Sequence, residues 1–123
     1  MIQLIKTLLS GEKAMNWTQI AENYWVAPQL NADDIANAAN QGIEVIMCNR
    51  PDGEEAGQPS AEEMKQLAGE AGLEFVFLPM QGPNFTEDYV ATVKQLNADG
   101  RRVLAYCRSG NRSSILYNAA TNA

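Results

Sequence analysis

A cysteine followed by a short loop bearing glycine and two arginines is the stretch of this chain best equipped for covalent chemistry: Val103 to Ser114 reads VLAYCRSGNRSS. The apolar run Val103 to Tyr106 predicts a short buried strand. The run Ile115 to Ala120 predicts a helix beyond the polar loop. At a strand–loop–helix junction of this kind, the unpaired N–H groups of the loop and first helical turn converge on one point and favour negative charge there. Gly110 lets the backbone curl through positive φ. Arg108 and Arg112 add fixed positive charge, in a planar fork that suits a tetrahedral oxyanion better than lysine does. Cys107 sits in that field, and a thiol at a helix N-terminus beside arginine has its pKa lowered to roughly 3.5 to 7.5. The reading is a thiolate nucleophile in an anion cradle. A small buried cysteine ahead of an ordinary loop is the plain alternative.

The elements that must position this loop follow from the rest of the chain. Its 123 residues, 46% hydrophobic and 20% charged, fit one compact domain. The expected division is an N-terminal helical extension over 1–15 and a single domain over 16–123. A net charge of −6 disfavours general binding to nucleic acid or anionic membrane, so anion recognition would be local. The chain has no histidine, which removes Cys-His proteases, Ser-His-Asp hydrolases and histidine metal sites. Two distant cysteines, Cys48 and Cys107, form neither a CxxC pair nor a zinc set. The expectation is a reduced, cytoplasmic chain without metal or cofactor, whose partner is a small anionic or phosphorylated substrate. Oligomeric state is left open. Met1 to Leu9 is too short and too interrupted by Lys6 to span a membrane, and no A-x-A-like cleavage site follows it. Ile2, Leu4, Ile5, Leu8 and Leu9 predict an amphipathic helix ended by Gly11.

Asn23 to Ala27 predicts a first strand, closed by Pro28. Asn31 is a helix N-cap, with Asp33 and Asp34 in the first turn; Ile35, Ala36, Ala38 and Ala39 face inward up to Gly42. Ile43 to Asn49 predicts a buried strand, followed by the polar loop RPDGEEAGQP from Arg50 to Pro59. Ser60 with Glu63 forms a capping box for a helix carrying Met64, Leu67, Ala68 and Ala71 inward, ended by Gly72. Leu73 to Met80 predicts a further strand. Thr86 then caps a helix led by Glu87 and Asp88, with Tyr89, Val90, Val93 and Leu96 inward and Gly100 as its stop. Strands alternating with helices predict an α/β fold, a mainly parallel sheet flanked by helices. Its ligand crevice lies beyond the carboxyl ends of the strands. Arg50 to Pro59, Gln81 to Phe85 and Cys107 to Ser113 should meet there. After Ser114 only a helix of about ten residues remains, near the lower limit of ordinary helices.

Together AYCRSGNRS at 105 to 113, CNRPDGEEAGQPS at 48 to 60 and FLPM at 77 to 80 resemble the bacterial family of phosphatase-like proteins related to the front domain of β-lactamase-hydrolase-like proteins. The similarity runs from Trp17 to Asn118, and the RPDGEE loop is its more diagnostic half. The resemblance implies the cysteine-phosphatase fold of dual-specificity phosphatases. It also implies Cys107 as nucleophile. The backbone of Arg108, Ser109, Gly110, Asn111, Arg112 and Ser113, with the Arg112 guanidinium, would hold phosphoryl oxygens, and the Ser113 hydroxyl would help the thiolate leave. Two departures stand against it. Dual-specificity phosphatases place five residues between cysteine and arginine, and this chain has four, the spacing of rhodanese-like sulfurtransferases. The family's aspartic general acid falls nearest Asn84, which cannot protonate an alkoxide. Asp88 is the acid carried forward among the substitutes, over Glu87, Asp52, Glu54 and Glu55, each of which has a plain reading as a helix-dipole partner or a solvated loop charge.

Three functions follow. The first is a phosphatase working through a cysteinyl phosphate. A second is a sulfurtransferase carrying a persulfide on Cys107, favoured by the loop length and the missing acid. The third is an idle module that binds an anion through Arg108 and Arg112. Asn84 and Arg50 join the expected substrate-binding residues, and the carboxylates of the Arg50 loop could fix Arg108 or Arg112 by ion pairs or narrow the pocket. Gln29 lies on a loop near the same end. Cys48 reads as a core thiol in preference to a redox partner of Cys107.

Overall fold

The computed structural model describes residues 16–122, so the expected N-terminal helix lies outside the described residues. Nine elements follow in order: β1 (Thr18–Ala21), β2 (Tyr24–Ala27), α1 (Ala32–Asn40), β3 (Val45–Cys48), α2 (Ala61–Glu70), β4 (Glu74–Phe77), α3 (Glu87–Ala98), β5 (Val103–Tyr106) and α4 (Asn111–Thr121). The strands form one sheet in the order β1-β2-β5-β3-β4, with only the β1–β2 pair antiparallel. This is the α/β fold expected, a mainly parallel sheet with helices on both faces.

The hydrophobic pattern explains why β5 is central. Every residue of β3 and β5 is buried, as strands covered on both faces must be. Val103 and Ala105 point into one core layer with Val45, Met47, Val93, Leu96 and Leu116, which places α3 and α4 on that face. Leu104 and Tyr106 point into the other with Ile46, Ile35, Ala38, Met64 and Ala68, under α1 and α2. The parallel register Val45↔Val103 through Cys48↔Tyr106 brings the carboxyl ends of β3 and β5 level, and β2 flanks β5 from the other side through Ala27↔Tyr106. The loops after β2, β3 and β5 therefore leave the sheet side by side.

Two differences from the sequence reading concern the edges. The first strand expected is the second arm of a hairpin. Its partner β1 is half exposed and has only Ile20 as a large apolar residue, and the turn is Glu22-Asn23, so neither a hydrophobic run nor an Asn-Gly signal marks it. The strand expected over Leu73 to Met80 is ordered as β4 at the opposite edge, with Glu74 and Phe77 exposed.

Helix starts separate α4 from the others. Asn31 and Ser60 form full capping boxes with Asp34 and Glu63, and the Thr86 hydroxyl accepts from the Tyr89 N–H; each of these helices has two acidic residues in its first turn. At α4 the N-cap is Gly110 at φ 96°, no side chain caps it, and no acidic residue occupies the first turn. Apart from the Ser109 hydroxyl, which accepts the Asn111 N–H, no side chain satisfies the first N–H groups there, which leaves that positive end open to an anion. The caps elsewhere are purely stabilising. Ser60→Ala should cost about 1 kcal/mol of unfolding free energy in urea titration, and an unchanged midpoint would contradict that role.

Candidate functional site

Cys107 follows β5 and is only 1% exposed. Its backbone N–H donates to the Ala27 carbonyl at 3.3 Å, which ties the start of the loop to the end of β2. The loop then folds over the sulfur, and the Gly110 N–H lies 3.0 Å from Sγ. This turn requires glycine on two counts. The φ of 96° is one that side chains rarely adopt, and a Cβ at this position would sit 3.4 Å from the Ala27 carbonyl carbon. Burial alone pushes the Cys107 thiol up. The backbone N–H groups of Ser113, Ser109, Arg112 and Gly110 converge on the sulfur and bring it below its ordinary value. The sequence expected these backbone donors around Cys107, and the structure brings them together. Ser113 is buried and its hydroxyl has no partner among the described residues.

The arginines are organised by the loop after β3. Arg112 presents Nη1 and Nη2 to the two oxygens of Glu54 at 2.7 and 2.9 Å, and Nη1 also donates to the Met80 carbonyl at 3.0 Å. Its charge is held by Glu54 first and, after burial's opposing effect, also by the Cys107 sulfur. Arg50, expected among the substrate-binding residues, is 2% exposed, and its guanidinium is engaged by protein acceptors. Nε donates to Glu54 at 2.9 Å, Nη1 to Gln29 Oε1 at 3.0 Å and Nη2 to Glu55 at 2.8 Å. Arg108 stays exposed, with Nε 3.8 Å from Glu55. Asn111 is exposed, and its N–H donates to the Ser109 hydroxyl at 3.3 Å.

The carboxylates of this loop act as acceptors in the structure. The Arg112 hydrogen bond, helped by Arg50 and opposed by burial, pulls Glu54 down to about 2. Arg50 first, then the charges of Arg108 and Arg50, hold Glu55 below the usual carboxylate range. Asp52 accepts the Ala61 N–H at 2.7 Å, at the start of α2. Asn84 and Asp88 are exposed, and neither makes a hydrogen bond or ion pair to the Cys107 loop among the described residues. Cys48 belongs to the core layer under α1 and α2, beside Tyr106 and opposite the face that Ala105 enters. Its thiol donates to the Arg50 carbonyl at 3.3 Å. Both cysteines are free.

Three partners were not picked out by sequence reasoning. Gln29, which no local pattern marks, links Arg50 to the β2 loop. The Met80 and Ala27 contacts are made by backbone carbonyls, which no side-chain pattern reports. The arrangement offers a thiol held below its ordinary pKa, a ring of N–H donors and an arginine fork, with Glu54 and Glu55 committed to arginines and no cluster able to hold a metal among the described residues. No helix among them is long and apolar enough to cross a membrane.

The Glu54 pairings make acid stability a direct readout of this network. Folded Glu54 holds its carboxyl at about 2 against an ordinary 4.5. Its contribution is therefore complete above about pH 4.5 and lost as the pH falls toward about 2. Glu54→Gln should be less stable than the parent at pH 7, with the difference closing across that window in chemical unfolding. A difference that does not depend on pH would contradict the pairing.

Residues 16–123 match the family model described as the phosphatase-like domain of beta-lactamase hydrolase-like protein. The beta-lactamase hydrolase-like protein of Agrobacterium fabrum is 36% identical over 104 residues, which cover 84% of this chain and 24% of that protein. The chain thus spans about a quarter of the length of that curated relative. A candidate phosphatase from Neisseria meningitidis superposes with a TM-score of 0.72 at 37% identity, covering 81% of this chain and 72% of that one. TpbA of P. aeruginosa, solved with phosphotyrosine, shares the fold at a TM-score of 0.63 and 16% identity, over 84% of this chain and 60% of that one. With the family model covering all but the N-terminal segment and more than a third of aligned residues shared with the Agrobacterium and Neisseria proteins, the chain belongs to the phosphatase-like domain family of beta-lactamase hydrolase-like proteins.

Proposed function

We propose that the domain transfers a group onto Cys107 from anionic donors, and that its first activity is hydrolysis of phosphate monoesters with good leaving groups. The observation that carries this reading is the buried Cys107 sulfur 3.0 Å from the Gly110 N–H at the uncapped start of α4. The backbone of Arg108 to Ser113 and the Arg112 guanidinium hold the phosphoryl oxygens. The thiolate attacks phosphorus in line, so that an S–P bond forms as the P–O bond to the leaving group breaks and the leaving oxygen takes the electron pair. Water then attacks phosphorus, cleaves the S–P bond and returns the thiolate, with the Ser113 hydroxyl stabilising the sulfur as charge reappears on it.

The carboxylate inventory sets the substrate range. With Glu54 and Glu55 bound by arginines, and with Asn84 in the place expected for an acid, protonation of the leaving group falls to Asp88 or solvent. General acid catalysis contributes roughly 10²- to 10⁴-fold. Aryl phosphates, which leave as stabilised phenolates, should therefore be hydrolysed faster than alkyl phosphates by a factor of that order. Asp88→Asn should lower alkyl-phosphate turnover if Asp88 is the acid and leave aryl turnover nearly unaltered. Cys107→Ser should abolish turnover of both. Aryl-phosphate hydrolysis that survives in Cys107→Ser, or is absent from the parent, would overturn the phosphatase reading.

A second reading is favoured by the four residues between Cys107 and Arg112 and by the same lack of a poised acid. In sulfur transfer the thiolate attacks the outer sulfur of thiosulfate, an S–S bond forms, and sulfite leaves with the bonding pair without needing a proton. An acceptor thiolate then removes that sulfur and regenerates Cys107. After thiosulfate exposure, intact-protein mass spectrometry should show one added sulfur in the parent and none in Cys107→Ser. An unmodified parent would dismiss this reading and leave phosphate chemistry alone in the cradle.

A further inference from the structure

We propose that Glu54 is a positioning residue that sets which edge of Arg112 faces the anion in the Cys107 cradle. The inference rests on the reading that Arg112 holds that anion. A guanidinium carries five N–H bonds, two on each terminal nitrogen and one on Nε. Glu54 takes one from Nη1 at 2.7 Å and one from Nη2 at 2.9 Å, the end-on edge of the fork. The Met80 carbonyl takes the other Nη1 hydrogen at 3.0 Å. The two left over belong to Nε and Nη2. They lie parallel on one side edge, the pairing that grips two oxygens of a phosphoryl or sulfonate group.

Three fixed contacts therefore leave one bidentate edge, and the Glu54 carboxylate makes two of them. Glu54 is itself immobilised, because Oε1 also accepts from Arg50 Nε at 2.9 Å and its backbone N–H donates to Gln58 Oε1 at 3.0 Å. Arg50 in turn is buried and anchored on Gln29. The RPDGEE loop thus acts as a bracket on the arginine. Its role differs from activation of the thiol, which burial opposes and the backbone N–H groups of the loop supply first; Arg112 also reaches the sulfur, and a guanidinium keeps its charge without Glu54.

Alkylation of Cys107 by iodoacetamide, with inorganic phosphate as protecting anion, measures both properties in the full chain. Glu54→Ala and Glu54→Gln should weaken phosphate protection roughly ten- to a hundredfold, the worth of one to two charge-assisted hydrogen bonds. The pH profile of alkylation without phosphate should stay below that of a free thiol, because the backbone donors remain. Arg112→Ala should weaken protection by at least as much, and Glu54→Ala should add nothing in its presence. Unaltered protection in both Glu54 variants would overturn the proposal. Stronger protection would overturn it too, and would mean that the carboxylate competes with the anion. A pH profile that rises to that of a free thiol as protection is lost would show loss of loop structure and likewise refute a positioning role. If phosphate fails to protect even the parent, the cradle reading falls and this inference falls with it; protection in the parent that Glu54 variants keep removes the inference alone.

Discussion

The Cys107 sulfur is taken out of water at the end of the central strand, and its charged form depends on N–H groups that would otherwise belong to a helix cap. Burial of an anion without compensation is costly, and here the compensation comes from backbone donors of the loop and the first turn of α4. For these donors to converge on sulfur, α4 must begin without a side-chain cap, and Gly110 must adopt a left-handed conformation against the Ala27 backbone. Among the described residues, the three other helices begin on an N-cap whose side-chain oxygen accepts a first-turn N–H, whereas α4 begins on Gly110. A stabilising device is forgone at the one helix start where it would compete with the site.

The second layer of the site is an alternation of charge. Arg112, Glu54, Arg50 and Glu55 are joined by contacts between 2.7 and 2.9 Å, with Gln29 and Met80 tying the series to two further strand ends. An exposed pair of this kind is worth little by itself, but Arg50 is almost fully buried and would be strongly destabilising without acceptors. The carboxylates in this series are fixed as acceptors. Glu54 and Glu55, beside the Cys107 loop, are therefore committed to arginines rather than poised to give up a proton.

Much of this was legible in the sequence because it depends on local patterns. The buried run at Val103 to Tyr106, the positive φ at Gly110, the caps at Asn31, Ser60 and Thr86, and the apolar faces carrying Met64 and Val93 all reappear in the structure. The possibility that loop carboxylates fix Arg108 or Arg112 by ion pairs is also met, by Glu55 and Glu54 respectively. What the sequence could not do was choose among Asp52, Glu54 and Glu55. The choice depends on register between β3 and β5, which brings the Arg50 loop level with α4. Strand β1 escaped for a different reason, since a four-residue exposed edge strand carries almost no hydrophobic signal. The carbonyls of Ala27 and Met80 escaped because backbone acceptors leave no trace in residue type.

The central claim is that Cys107 is held as a thiolate by backbone N–H groups, and its titration tests that most directly. Ultraviolet thiolate absorbance should be followed against pH as the difference between the parent chain and Cys107→Ser, which cancels Cys48. The account predicts a transition below the value of about 8.5 for a free cysteine, moved upward in Gly110→Ala. A Cys107 transition at or above that ordinary value would contradict it.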